Sequence, residues 1–418
     1  MPPDHAPLYG PPVDPRELAV FPEPWAWALS LLVGALLLAW GWKRSSLATV
    51  LGAVIVLTAP ALAMVPVATW GHFPTIDKAG SLSFYKLGAH WASFDTSAEA
   101  TRLIGVSMGH LWVSAALDTF LAPFAAMNAQ ALLNLGLGWY FGARVCAAAG
   151  SSPGAALVGG MGFGLGLHAL RDVNWYTVEK CGQGWLALYV LCLVRAHRVG
   201  GRWVAGAGVA YFWAFYYNSY WGVLGALAGG LALAFGNAGS RAAVAASCLG
   251  GLPFVILQLP ALNNDSLPEP AAFAQRAALD VLTPVAWNRL ELWRAVDLAA
   301  VALAAVALGA ARRPHVEPSP GGARVTTPFL VLCVAVPTVL ALGPATPLWT
   351  AFSALPGMWR FAKPETFFHL AVLALGVLAS RGVDRLKLDA RAVLSVQAAL
   401  WLWAVRAHAV YPQFSAAG

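Results

Sequence analysis

The sequence predicts an all-α, polytopic membrane protein with about twelve transmembrane helices, and three observations carry that prediction. Hydrophobic residues make up 59% of the chain and charged residues 11%, far from the roughly 25% charge of ordinary soluble domains. Apolar runs of spanning length recur from one end of the chain to the other. Basic residues gather in alternate turns between those runs, as they do when a chain is held in one orientation across a bilayer.

Residues 1–24, MPPDHAPLYGPPVDPRELAVFPEP, are Pro-rich and lack a basic start. They read as an extended tail, not a signal peptide, and residues 25–418 then form a single transmembrane domain. Runs able to cross a hydrocarbon core of about 30 Å fall at 25–42, 47–67, 128–144, 153–170, 242–261, 295–311, 327–343, 367–380 and 392–408, with a shorter one at 183–196. Residues 43–63 imitate a cleavable signal, but a spanning run already precedes them, so they are expected as the second helix. The stretch 203–237 is too long for one crossing and is interrupted by FYYNSYWG. That break predicts two helices meeting at Asn218 and Ser219.

With both termini outside, the inner turns collect 14 of the 26 basic residues and three of the 19 acids. A single missed helix would invert every later turn, so the unbroken alternation is a stringent check. The net charge of +7 therefore serves orientation, and membrane lipids, with no nucleic acid, are the expected partners; protein partners are left open. Cys146, Cys181, Cys192, Cys248 and Cys333 show no paired metal spacing and read as small residues of apolar segments. The run GMGFGLG at 160–166 is neither a P-loop nor a dinucleotide fingerprint; its glycines suit close helix packing in lipid.

The outer loops are long, at 68–127, 262–294 and 344–366. In the first, residues 101–124 space Ser107, His110, Ser114 and Asp118 three or four apart, which predicts an amphipathic helix at the outer interface. The third contains LPGMWRFAKPETFFHL, with Arg360 and Lys363 just before an apolar run. Two cations beside a helix start, where backbone N–H groups also favour anions, suit a phosphate. Headgroup anchoring, or a pair between Lys363 and Glu365, suits them equally.

Three stretches carry a resemblance: NAQALLNLGLGWYFGARV at 128–145, AALVGGMGFGLG at 155–166, and LGPATPLWTAFSALPGMWRFAKPETFFHLAVLALGVLAS at 342–380. They resemble GT-C fold membrane glycosyltransferase-like proteins, including the YfhO-like bacterial integral membrane proteins, over about residues 70–380. The resemblance implies a GT-C-like fold in a bacterial inner membrane. It also implies transfer of a sugar from a polyprenyl-phosphate donor to an envelope acceptor at the outer face. A carboxylate would then accept the acceptor's proton while cations stabilise the departing phosphate.

On that reading Asp77, in GHFPTIDKAG, is the expected base, and a solvated loop acid beside Lys78 is its plain alternative. Asp118 is the second candidate, unless its helix simply turns a polar side to water. His110 shares that polar stripe. Arg360 and Lys363 would meet the donor phosphate. Arg171, Asn174 and Trp175, in HALRDVNWYTVEK, would contact the sugar, though an interfacial Trp beside an Arg171–Asp172 pair explains them as well. No cofactor is required by the sequence; a divalent ion around His72, Asp77 and His90 matches no recognised spacing. Two alternatives stay open: a transporter or lipid-handling protein, with FYYNSYW or Asp297 lining a path, and an inactive GT-C-like assembly partner.

Overall fold

A computed structural model describes residues 24–41, 47–64, 109–120, 123–166, 182–262, 325–355 and 364–410. All secondary structure among these residues is helical. The helices are α1 (Pro24–Gly41), α2 (Leu47–Met64), α3 (Gly109–Asp118), α4 (Pro123–Ala148), α5 (Pro153–Gly164), α6 (Gln183–Arg198), α7 (Arg202–Tyr217) and α8 (Ser219–Phe235). They continue with α9 (Ala238–Leu262), α10 (Thr327–Ala341), α11 (Pro347–Ser353), α12 (Phe368–Leu386) and α13 (Ala390–Val410).

Each apolar run that falls on described residues is a helix, and 203–237 divides as its polar interruption predicts. Asn218 leaves helical geometry at φ −161°, and its Oδ1 accepts the Tyr220 amide hydrogen at 2.9 Å. That satisfies one of the N–H groups left open at a helix start, so α8 begins afresh. The expected run at 295–311 lies outside the described residues.

The spanning character of these helices is a different matter. Among the described residues no helix is long and apolar enough to cross a membrane. Helices α6, α7 and α10 stop at 15 or 16 residues. Of the longer ones, α4 holds Asn128, Gln130, Asn134 and Arg144, and α12 holds His369, Arg381, Asp384 and Arg385.

Helices α4, α5, α6 and α12 form the centre. On one flank, Val50 and Val54 of α2 and Trp401 of α13 bury against Leu135, Trp139 and Met161. Val50 and Val54 thus belong to the core. On the other flank, α7, α8 and α9 enclose Tyr189, Tyr211, Tyr217, Trp221 and Leu224. Between them, α10 joins through Leu330, packed with Val145, Phe163, Leu373 and Val377.

Glycines set the central spacing. A Cβ on Gly160 would lie 2.5 Å from the Ala143 amide nitrogen, and one on Gly159 would collide with the Gly376 carbonyl. Gly160 and Gly164, within the expected 160–166 run, let α5 approach α4, and Gly159 just before them admits α12. Cys146, Cys192 and Cys333 are buried, as small apolar residues would be, whereas Cys248 is exposed on α9.

The bundle has two unlike ends. At one, Arg198 donates to the Ala148 carbonyl, and Arg381 donates to the Ala149 and Val325 carbonyls at 3.0 and 2.7 Å. These bonds tie the end of α6 and the last turns of α12 to the α4–α5 turn and the start of α10. The same end holds Arg202 and Arg241 at the starts of α7 and α9 and Lys387 after α12. Every described turn expected on the inner side lies here, so the alternation along the chain becomes a cationic end in space.

Candidate functional site

The opposite end holds a buried polar cluster around Tyr217, the last residue of α7. Its hydroxyl accepts an amide hydrogen from Asn134 Nδ2 at 2.8 Å and another from Gln130 Nε2 at 3.1 Å. Gln130 and Asn134 stand four apart on α4, on one helix face. Both are buried, as is Tyr217. Gln130 Nε2 also donates to the His110 carbonyl at 3.0 Å, and the His110 ring nitrogen Nδ1 lies 3.4 Å from the Tyr217 carbonyl.

Aromatic rings frame this cluster. Trp185 of α6 lies 5.9 Å from the Tyr217 ring and 5.5 Å from Trp213. Trp221 of α8 meets His369 of α12 edge to face at 5.1 Å and 81°. The His369 ring is fixed by its Nδ1, 2.9 Å from the Thr366 carbonyl. Gly182 admits the start of α6: a Cβ there would strike the Tyr217 ring and lie 2.9 Å from Trp221 Nε1.

Chemically the cluster offers neutral hydrogen-bond donors and acceptors. Tyr217 accepts two hydrogens through its oxygen, which orients its own O–H toward a third group. Gln183 donates through Nε2 to the Gly164 carbonyl at 3.4 Å, while Gln183 Oε1, Trp185 Nε1 and Trp221 Nε1 are buried without a partner among the described residues. Buried polar atoms in that state are costly unless a ligand or water meets them. The described side chains are amides, a phenol, indoles and imidazoles, with no permanent charge. A neutral polyol, which both donates and accepts, is the kind of group they match.

Of the residues expected from sequence, the structure brings only His110 into this cluster. Residues 101–108 of the expected 101–124 stretch lie outside the described residues. The His110 helix spans Gly109–Asp118 and ends in a turn at Thr119 and Phe120, where the Phe120 N–H donates to the Leu117 carbonyl. Pro123 then opens α4, consistent with the preference of Pro for the first helical turn. The helix also rests on the bundle, because a Cβ on Gly109 would lie 2.7 Å from the Tyr217 Cα. Asp118 is the last residue of α3, eight residues or about 12 Å along the axis from His110. Asp77, Arg171, Asn174, Trp175, Arg360 and Lys363 lie outside the described residues. The 344–366 loop is partly helical, with α11 capped by Thr346 Oγ1 accepting from the Trp349 amide at 3.3 Å.

The sequence reading missed Gln130, Asn134, Gln183 and His369, and named Tyr217 and Trp221 only as part of FYYNSYW, under the transporter alternative. One signal was present: Gln130 and Asn134, four apart on one face of a largely apolar helix, a costly pattern inside a bundle. Compared with known proteins, the chain matches no protein family, no curated protein and no solved structure.

Proposed function

We propose that the protein resides in a membrane, cationic end inward, and acts at its opposite end on a lipid-linked sugar. The observation that carries this reading is the polarity of the bundle. Arginine-rich turns collect at one end, and a neutral amide and aromatic cluster occupies the other. Positively charged turns are retained on the cytoplasmic side, which leaves the Tyr217 cluster outward. Apolar side chains on outer helix faces support immersion in lipid: Val209 of α7 is 70% exposed and Leu249 of α9 is 73% exposed. Soluble monomers seldom expose large residues of this kind in continuous patches.

The reaction we propose is glycosyl transfer from a polyprenyl phosphate to an envelope acceptor. Asp77 takes the proton of the acceptor hydroxyl, whose oxygen forms the new bond at the anomeric carbon. The bond from that carbon to the phosphate oxygen breaks, and the phosphate leaves with the electron pair, its charge met by Arg360 and Lys363. Asp118 is the reserve carboxylate, and Arg171, Asn174 and Trp175 join His110 in holding the sugar.

Three measurements test this. Fractionation of cells should recover the protein with membranes after carbonate washing; recovery in the soluble fraction overturns the whole reading. Asp77→Asn should abolish envelope glycan modification at unchanged protein level, and unaltered glycans would remove Asp77 from the reaction. Tyr217→Phe should lower modification at least tenfold. A second reading, lipid handling without chemistry, is favoured by the neutrality of the cluster, and it predicts that Asp77→Asn has no effect while Tyr217→Phe does.

A further inference from the structure

At the cationic end, the facing sides of α6, α8, α10 and α12 enclose an apolar cleft of about 130 Å³. Its walls include Val194, Ala232, Phe235, Phe329, Leu373 and Val377. Along α12 it runs from Val377 back to Leu370, about 10 Å at the helical rise. That volume is close to the roughly 150 Å³ of an engineered apolar cavity that holds one benzene. The cleft therefore takes a slender hydrocarbon segment and excludes a sugar. Phe235 and Phe329, with ring centroids 5.8 Å apart, stand on its wall between α8 and α10. Phe235 is 55% exposed, so this part of the cleft wall also faces outward.

The inner end of the cleft is polar. His197 and Ser240 line it, joined by a 2.9 Å contact between His197 Nδ1 and Ser240 Oγ. Thr326 lines it as the N-cap of α10, and its side chain makes no capping bond. Arg381 is held against two wall residues through the Ala149 and Val325 carbonyls. Arg198 lies just beyond, on the Ala148 carbonyl, and the charges of Arg144 and Arg198 both act on Arg195. The described acids of this end are engaged: Asp384 accepts from the Ser152 amide at 2.8 Å and from the Ser152 hydroxyl, and Asp389 accepts from the Arg391 amide at 3.0 Å.

From this combination we infer that the cleft binds one acyl chain of an anionic membrane lipid, with the phosphate of its headgroup against Arg381, Thr326 and the start of α10. The apolar walls match the chain, and the cations with the helix N-terminus, which the Thr326 side chain does not cap, match the phosphate. This site lies at the end away from the Tyr217 cluster. It rests on membrane residence and is independent of the transferase chemistry.

The test uses full-length protein in mild detergent and phosphatidylglycerol carrying a diazirine on one acyl chain. Crosslinks should map to peptides containing Phe235 and Phe329. Unlabelled phosphatidylglycerol should displace the probe at least tenfold better than phosphatidylcholine. Crosslinks elsewhere, or equal displacement by the two lipids, would overturn the assignment. Arg381→Gln should weaken labelling roughly tenfold, the loss of one charge-assisted contact, and Arg381→Lys should restore most of it. The wild-type competition decides the matter even where Arg381→Gln fails to fold. Protein that sediments with membranes yet is not labelled in the cleft defeats this inference alone; a soluble protein defeats it together with the membrane reading.

Discussion

The two ends of the bundle differ in their most prominent hydrogen bonds, although neutral side-chain pairs such as Ser151–Ser380 also occur at the cationic end. At the cationic end, long charged side chains reach backbone carbonyls: Arg198 to Ala148, and Arg381 to both Ala149 and Val325. At the other end, short neutral side chains meet one another, with Gln130 and Asn134 converging on the Tyr217 hydroxyl. The first kind leaves each cation near water and ties helices through groups every residue possesses. The second kind lies wholly inside, so each atom there depends on a particular partner. An end built from buried, mutually dependent polar groups is specific and intolerant of change; an end built from charge and backbone is adaptable.

The largest expected effect severs the two ends from each other. Helices α4 and α5 run between them, and Gly160→Leu would force a side chain against the Ala143 nitrogen and the Trp139 carbonyl. A loss of about 3 kcal/mol is expected from such overpacking, read as a thermal melt in detergent; an unchanged melt would mean that the ends are not coupled through this hairpin. Next comes Tyr217→Phe, which leaves two buried amide groups without their shared acceptor and should cost about 1–3 kcal/mol. Adding Asn134→Leu should recover part of that loss. Simple additivity of the two substitutions would show that the hydroxyl and amide do not act as a pair.

At the cationic end the effects shrink. Asp384→Ala removes the acceptor for Ser152 and should cost about 1 kcal/mol, and less as ionic strength rises; a loss equal to that of Tyr217→Phe would erase the proposed contrast. The smallest effect has the reverse sign. Lys387 ends α12 at φ 51°, in the left-handed region. Lys387→Gly relieves that strain and should raise stability by up to about 1 kcal/mol, whereas a lower melting temperature would show the lysine's charge or contacts to matter more than its backbone.

Much of the helical layout was legible because apolar runs and their interruptions are local properties. Asn218 is the clearest case: a capping side chain in a polar break between two apolar runs states where one helix stops and the next begins. The glycines of α5 were legible for the same reason, since small residues in an apolar run have few uses other than close packing. The candidate site was far less legible. His110 was singled out for its place in a polar stripe, yet its ring lies against the Tyr217 carbonyl because Gly109 brings the two helices together. Tyr217 itself was one of several aromatic residues in FYYNSYW, and nothing in that string distinguishes it from Tyr216.

The sequence by itself determined the class and the punctuation: an all-helical chain, where most of its helices fall, and a strict alternation of basic turns. These follow from composition, periodicity and capping, which act over a few residues. Only the tertiary structure decided that the basic turns share one end, that α4, α6, α7 and α8 meet around a phenol, and that an apolar cleft opens beside Arg381. Those features join residues 50 to more than 200 positions apart, and contacts of that range are set by which helix faces pack together, a choice that no local pattern encodes.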